Sequence, residues 1–230
     1  MSEFLGSSVF FGIFMTLAAY FLGLEIKKKT GLALMNPLLI AIVIMMLIVS
    51  FLKIDYSAYS AGTKILSNLL TPATICLAVP LYEQLSLLKK HPLAIFAGIA
   101  SGVLTSLACV FVLSLLFGLD HASYVTLLPK SITTAIGIGV SEELGGIQSL
   151  TVVVIIITGV LGNIFAELIC KVFRITDPIA QGVGIGTSTH AVGTARAMEM
   201  GEIQGAMSGL SIVVAGLMTV VLANLFAGFY

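Results

Sequence analysis

Residues 133–148 read TTAIGIGVSEELGGIQ, and residues 189–204 read THAVGTARAMEMGEIQ. Sliding the chain against itself by 56 residues aligns these stretches with seven identities in sixteen positions. The matches include Glu143 with Glu199 and Gln148 with Gln204, so polar residues repeat as well as apolar ones. The chain therefore contains an internal repeat.

The composition around this repeat is that of a membrane protein. The 11 basic and 11 acidic residues make up 10% of the 230 residues, against about 25% in soluble domains. Hydrophobic residues make up 58%, and the mean hydropathy is +1.13. We expect an all-α polytopic protein whose partner is the lipid bilayer. The zero net charge leaves no basic surface for phosphates, which argues against a nucleic-acid partner.

Apolar runs predict about six transmembrane helices, since crossing the hydrocarbon core takes roughly 20 residues. The runs are 4–24, 37–54, 71–88, 93–117, 147–170 and 203–229. The stretch 55–70 between two of them is too polar to span and predicts an interfacial helix. No basic residue precedes the first run, so a cleaved signal peptide is not expected.

The polar segments 118–146 and 175–202 either dip into the membrane and return, or cross it as broken helices. Re-entrant segments place seven basic loop residues inside and one outside, whereas crossing segments give five against three. Cytoplasmic loops carry the excess of Lys and Arg, which favours re-entrant segments. The repeat is then inverted, a common architecture of secondary transporters. Crossing segments make it parallel.

The predicted organisation is a single integral membrane domain over residues 1–230. Its N-terminal helices occupy residues 1–118. The repeat units follow at 119–174 and 175–230, each made of one polar segment and one full span.

The polar segments hold the candidate binding site. Ionisable residues within a membrane protein usually line water, a partner or a substrate path. Arg196 can bind a carboxylate with two hydrogen bonds, and Lys130 can act as a point charge. Broken helices also present unsatisfied N–H groups that favour an anion. The hydroxyl donors predicted to assist are Ser131, Thr133 and Thr134 in the first segment and Thr187, Ser188, Thr189 and Thr194 in the second. This chemistry suits a small organic anion.

Structural roles compete with each of these predictions. Arg196 and Glu199 are three residues apart and can form a purely structural pair. His190 either binds substrate and couples protons or makes a structural hydrogen bond. Asn163 and Glu167 lie one helical turn apart, where they either couple a cation or proton or pair across the bundle. Serines and threonines in membrane helices also bond to their own backbone.

The sequence contains strings that resemble motifs of enzymes and cofactor sites, but none of these motifs is complete. GVGIG at 182–186 lacks both the Lys-Ser/Thr of a P-loop and a preceding strand pattern. Ser188 and His190 are two residues apart and face away from each other on a helix. Three scattered histidines and three separate cysteines lack metal-ligand spacing. No metal, cofactor or catalytic residue is predicted, and the chain is not expected to be an enzyme.

Two strings resemble the LrgB family of bacterial membrane proteins, which includes CidB. They are LLPKSITTAIGIGVSEELGG and DPIAQGVGIGTSTHAVGTARAMEMG, within a resemblance that covers essentially the whole chain. The matching positions are Pro129, Lys130, Ser131, Thr133, Thr134, Gly186, Thr187, His190, Gly193, Thr194, Ala195 and Arg196. Ala135 and Gln181 depart from the family pattern, which has proline and a basic residue there.

The resemblance implies a protein of the bacterial plasma membrane. It implies either antiholin-like regulation of murein hydrolase export with a small LrgA- or CidA-type partner, or transport of small carboxylates. A distant similarity to cation/proton antiporters and bile-acid-type transporters implies inverted repeats. We expect a secondary transporter of monocarboxylates such as pyruvate, glycolate or lactate that forms a homo-oligomer, with the holin- or antiholin-like regulator as the alternative.

Overall fold

The protein is all-helical in a computed structural model that describes residues 8–31, 35, 37–69, 72, 75, 76, 79, 82, 89 and 92–230. Every regular element of these residues is an α-helix, which confirms the predicted class. Their ten helices are α1 (Val9–Thr30), α2 (Pro37–Phe51), α3 (Tyr56–Gly62), α4 (Lys64–Asn68), α5 (Pro92–Phe117), α6 (His121–Leu127), α7 (Thr134–Glu143), α8 (Gln148–Val172), α9 (Pro178–Met200) and α10 (Glu202–Ala227).

Four of these helices, α1, α5, α8 and α10, are long and apolar enough to cross a membrane. The apolar helix α2 has 15 residues, and the predicted interfacial stretch forms the two short helices α3 and α4. The predicted span 71–88 lies outside the described residues except at isolated positions. The chain is a membrane protein on these grounds, because such apolar helices need lipid around them.

The chain divides into two compact units, residues 1–74 and 75–230. In the first, α1 packs on α2, where Gly23 lets the backbone of Pro37 approach, and Thr16 shares a hydrogen bond of 3.0 Å with Tyr59. The second unit contains both repeat units. The predicted divisions after 118 and 174 fall in the connections that follow α5 and α8.

Helices α6 and α7 form a helical hairpin, which we call hairpin 1 (residues 121–143). The hydroxyl oxygen of Thr151 is within hydrogen-bond distance of both the Thr126 carbonyl (3.1 Å) and the Ser141 hydroxyl (2.7 Å), so Thr126 and Ser141 lie side by side. Thr126 lies beside Ser141, and Pro129, which is closer to the turn, lies beside Gly137. Helices α6 and α7 therefore run in opposite directions.

Helix α9 also turns back on itself and forms hairpin 2 (residues 178–200). It breaks at His190, whose φ of 44° and ψ of −147° are not helical. The first half runs opposite to α8, because Thr189 lies against Gly162 whereas Ile185 packs with Ala166. The second half runs along α8, since Asn163 Nδ2 donates to the carbonyl of Val192 (2.9 Å) and further along Arg196 meets Glu167. The two halves are therefore antiparallel.

The hairpins approach the long helices from opposite ends. The base of hairpin 1 lies where α10 ends, because the Tyr124 hydroxyl donates to the Phe226 carbonyl (2.7 Å). The base of hairpin 2 lies where α10 begins, because the amide of Gln204 donates to Gln181 (3.1 Å). Each tip thus points toward the middle of the bundle formed by α5, α8 and α10.

Candidate functional site

A cavity of about 400 Å³ lies where the two hairpin tips meet α5. Serine, threonine and glycine dominate its walls, and none of the described residues that line it is acidic. From α5 the lining residues are Gly98, Ser101, Gly102, Thr105, Ser106 and Cys109, and from the hairpins they are Lys130, Ser131, Gly184, Thr187 and Ser188. Ser106 is about 17 Å from one end of α5 and about 21 Å from the other at 1.5 Å per residue, so the cavity is at mid-depth.

Lys130 is the charged residue of this cavity. Its Nζ donates to the hydroxyls of Ser106 (3.0 Å) and Ser131 (2.9 Å), which lie 3.1 Å apart. None of the ion pairs among the described residues includes Lys130, although the side chain is half-buried. A half-buried ammonium with hydroxyl partners alone has capacity for an anion.

Two buried hydroxyls at the tips have no hydrogen-bond partner among the residues that the structure describes. They are those of Thr133 and Thr187, both in residues that are only 5% exposed. Thr187 lines the cavity, whereas Thr133 is the N-cap residue of α7 and makes no side-chain capping bond. Leaving such a group unsatisfied costs roughly 1–3 kcal/mol, so these positions favour a polar ligand or water.

The tip of hairpin 2 is held by α8. The ring nitrogen Nε2 of His190 is 2.9 Å from the Ile155 carbonyl oxygen, and Gly159 leaves room for the ring. A positive φ at a residue other than glycine costs of order 1–3 kcal/mol and persists only where packing enforces it. This contact is the structural hydrogen bond that the sequence left open for His190.

Hairpin 2 is further tied by small polar contacts. Thr194 Oγ1 donates to the His190 carbonyl (3.0 Å) and lies 2.7 Å from the hydroxyl of Ser208 on α10. Thr189 donates to its own helix at the Ile185 carbonyl (2.7 Å). The hydroxyls of Thr189 and Thr194 therefore already have hydrogen-bond partners within the protein.

A second cavity, of about 660 Å³, lies at the base of hairpin 2 and contains Arg196. Arg196 pairs with Glu167 on α8 and, at 2.7 Å, with Glu199. Lys171 pairs with Glu167 from the other side at 2.8 Å. The lining residues are Glu167, Cys170, Lys171, Arg174, Ile175, Thr176, Gln181, Arg196, Glu199, Met200 and Gln204. The sequence left open a structural ion pair as the role of Arg196 and of Glu167, and these contacts are of that kind.

The predicted site residues therefore fall into separate groups. Lys130, Ser131, Thr187 and Ser188 share the mid-depth cavity, and Arg196 shares the basal cavity with Glu167. The two cavities have no lining residue in common. Thr133, Thr134, Thr189, His190, Thr194 and Asn163 line neither cavity.

Comparison with known proteins identifies the family. Residues 16–229 match the family described as LrgB-like. The chain belongs to the LrgB-like family. Proteins named "Antiholin-like protein LrgB" from Bacillus cereus (strain B4264) and Bacillus anthracis (strain A0248) are each 38% identical to it over 221 residues, which is 96% of this chain and 96% of theirs. No solved structure matches the chain.

Sequence reasoning missed one wall of the mid-depth cavity in this LrgB-like chain. The α5 hydroxyls of Ser101, Thr105 and Ser106 lie in a segment interpreted only as an apolar span. Their spacing of four and one residues does place them on one side of a helix together with Gly98 and Gly102, which is a detectable signal. In the described residues no group of three or more His, Cys, Asp or Glu could hold a metal ion.

Proposed function

We propose that this LrgB-like chain is a secondary transporter of small monocarboxylates, with pyruvate, glycolate or lactate as the substrate class. The observation that carries the proposal is Lys130, a half-buried lysine amine in a mid-depth cavity that has no acidic lining residue among the described residues. Carriers of many folds hold their substrate near the midplane, between discontinuous helices. The proposed activity is transport and involves no catalytic residue.

The proposed topology has six spans and two re-entrant hairpins related as inverted repeats. Two features support it. Helix α7 begins at Thr134, and the break in α9 falls at His190, which is the equivalent position 56 residues later. The hairpins also reach the long helices from opposite ends, as inversion requires.

The proposed location is the bacterial plasma membrane, with the base of hairpin 2 facing the cytoplasm. Lys171 and Arg174 lie at that end, next to the last turn of α8. At the base of hairpin 1 the charged residues are Asp120, Glu142 and Glu143. Basic residues mark cytoplasmic ends, so this asymmetry supports the orientation.

In the proposed site the carboxylate displaces one serine from Lys130 and receives a charge-assisted hydrogen bond from its Nζ. The hydroxyls of Ser131 and Thr187 face the same space and donate to the carboxylate or to the substrate's 2-oxo or 2-hydroxy oxygen. Thr133 and Thr134 place the first turn of α7, with its unsatisfied N–H groups, at the same tip. The roles predicted for Arg196, Thr189, Thr194 and Ser188 as further ligands stay predictions.

An antiholin-like regulator is the second candidate, and the names of the relatives favour it. In that case the chain would act with a small LrgA- or CidA-type membrane protein and would not need a substrate cavity. A carrier with the same small partner, or one that works as a homo-oligomer, is also compatible with this name.

The test is uptake into proteoliposomes of purified protein with and without a co-reconstituted small partner. Radiolabelled pyruvate, glycolate and lactate report carrier activity, and a trapped large dye reports pore formation. Lys130→Gln is expected to lower saturable uptake by at least about 30-fold, because removing one member of a buried charge pair costs roughly 2–5 kcal/mol. Lys64→Gln, on the exposed helix α4, is the matched control that keeps wild-type uptake.

Saturable uptake with dye retained supports the carrier. Absence of uptake for all three acids, together with partner-dependent dye release, supports the antiholin-like reading instead. Normal uptake by Lys130→Gln would refute the site while leaving the carrier in place.

A further inference from the structure

We propose that Lys130 itself carries the coupling proton, so that one residue both binds the anion and makes its transport electroneutral. This inference rests on the proposed carrier function and deepens it. It departs from the sequence-based prediction, in which His190, Glu167 or Asn163 performs the coupling.

The cavity surrounds Lys130 with hydroxyls and one thiol. Its own hairpin contributes Ser131, α5 contributes Ser106 and the thiol of Cys109, and hairpin 2 contributes Thr187 and Ser188. His190 lies at the facing tip with its Nε2 at the Ile155 carbonyl. No carboxylate lines the cavity, so the protein offers Lys130 no permanent counter-charge among the described residues.

The other candidates for proton coupling are engaged. Glu167 lies between Lys171 and Arg196 at the base of hairpin 2, in a cavity that shares no lining residue with that of Lys130. Asn163 donates its amide to the Val192 carbonyl and does not titrate. His190 lies buried against α8 and lines neither cavity. Lys130 is thus the titratable nitrogen that faces the substrate space.

Charge balance during transport also supports this role of Lys130. A carrier must return empty, and moving an unpaired ammonium past apolar helices is unfavourable. On binding, one proton from the outer water joins the neutral amine, and the resulting ammonium pairs with one carboxylate. On the inner side the carboxylate leaves, and the amine releases the same proton to water. Both the empty and the loaded site are then neutral, and one proton accompanies each anion.

The decisive variant is Lys130→Arg, which keeps a cation but cannot release its proton. We expect it to retain exchange of external labelled pyruvate for internal pyruvate, because exchange needs only the loaded site to move. Net accumulation driven by a pH gradient is expected to be lost. In the wild type, pH-driven accumulation should not respond to a potassium-valinomycin potential, since no net charge moves.

Two further variants complete the design. Lys64→Arg is the matched control and keeps pH-driven accumulation. Glu167→Gln tests the competing residue and should still accumulate pyruvate only with a pH gradient. The inference is overturned if Lys130→Arg keeps pH-driven accumulation, or if Glu167→Gln loses pH-driven accumulation while it keeps exchange.

A wild-type measurement keeps the proposal testable if Lys130→Arg does not fold. Acetic anhydride acylates neutral amines, and peptide mapping measures the rate at each lysine. At pH 7 without substrate, Lys130 should react about tenfold faster than the exposed Lys64, and saturating pyruvate should suppress its reaction about tenfold. A rate no higher than that of Lys64, or no protection by pyruvate, overturns the inference.

The failures are distinguishable. If the wild type transports none of the acids, the proposed function fails and the dye assay decides for the regulator. If it transports but Lys130 fails these tests, the carrier stands and the proton is carried elsewhere.

Discussion

The two hairpins follow the same path but place their cations differently. Hairpin 1 has Lys130 at its tip, where its amine faces a cavity and donates to two serine hydroxyls. Hairpin 2 has Arg196 near its base, between Glu167 and Glu199. At the tip of hairpin 2 stand hydroxyls and a histidine that bonds to α8. Lys130 of hairpin 1 therefore has no ion pair among the described residues, whereas Arg196 of hairpin 2 is held by two ion pairs.

This difference shows that a repeat predicts position better than role. Lys130 is equivalent to Gly186, and Arg196 is equivalent to Val140. Neither cation has a charged counterpart in the other copy. In the proposed site this asymmetry gives hairpin 1 the anion-binding role and hairpin 2 the structural role.

Alanine substitutions at two equivalent glycines test whether the two hairpin tips are equally rigid. An alanine Cβ at Gly193 of hairpin 2 would overlap the Thr189 hydroxyl oxygen and lie 2.6 Å from its Cβ. The Thr189 side chain cannot move away, because its methyl group already fills the space next to Gly162. We expect Gly193→Ala to lower the melting temperature of the purified protein by about 2–12 °C, since overpacking costs about 1–3 kcal/mol and each kcal/mol is worth about 2–4 °C.

Gly137→Ala, the equivalent change in hairpin 1, is the matched control. Its Cβ would meet Ile155 Cδ1 at 2.5 Å, the end of a side chain that can turn away. The loss of thermal stability should be clearly smaller. Equal losses in both variants would mean that the tips are equally rigid, and the comparison would fail.

A second prediction distinguishes the structural role of Arg196 from the proposed binding role of Lys130. Arg196→Gln should destabilise the protein by about 1 kcal/mol, because the ion pairs it loses are only partly buried, with side-chain exposures of 25% for Arg196 and 36% for Glu167. Lys130→Gln should leave thermal stability unchanged or higher while removing uptake.

The measurements for this pair are melting curves in detergent and the uptake assay described above. Glu199→Gln, which removes one of the two pairs of Arg196, should show a smaller loss of stability than Arg196→Gln. If Arg196→Gln abolished uptake without destabilising the protein, Arg196 would belong to the binding site, as the sequence first suggested.

The smallest expected effect concerns the hydroxyl of Thr187. Thr187→Val keeps the shape that packs against Gly102 and removes a buried hydroxyl without a partner. We expect the KM for pyruvate to rise about fivefold, since a hydrogen bond is worth about 1 kcal/mol, with no loss of stability.

Ser114→Ala is the control for Thr187→Val, because Ser114 is also buried and unpartnered but does not line the cavity. Its KM should equal that of the wild type. A KM for Thr187→Val that also equals the wild-type value would remove Thr187 from the proposed site.

Much of this architecture was readable from the sequence. Apolar runs predicted the long helices, and the repeat predicted two segments whose breaks fall at equivalent positions, Thr134 and His190. The separation of Lys130 from Arg196 was not readable. The depth of a residue on a hairpin depends on which half it occupies and where the chain turns, and the turn at His190 has no proline or glycine to mark it.

The order of the elements has a consequence for biosynthesis. Each hairpin comes before the long helix that packs against its small residues. Helix α7 packs on α8, and Gly182 and Gly186 of hairpin 2 pack on α10. A ribosome therefore releases each polar hairpin before its cover exists. The small residues of each hairpin lack these packing partners until the next long helix has been made, and a chain stalled near residue 201 would hold hairpin 2 without α10. We expect assembly in two steps, each completed by the synthesis of a long apolar helix.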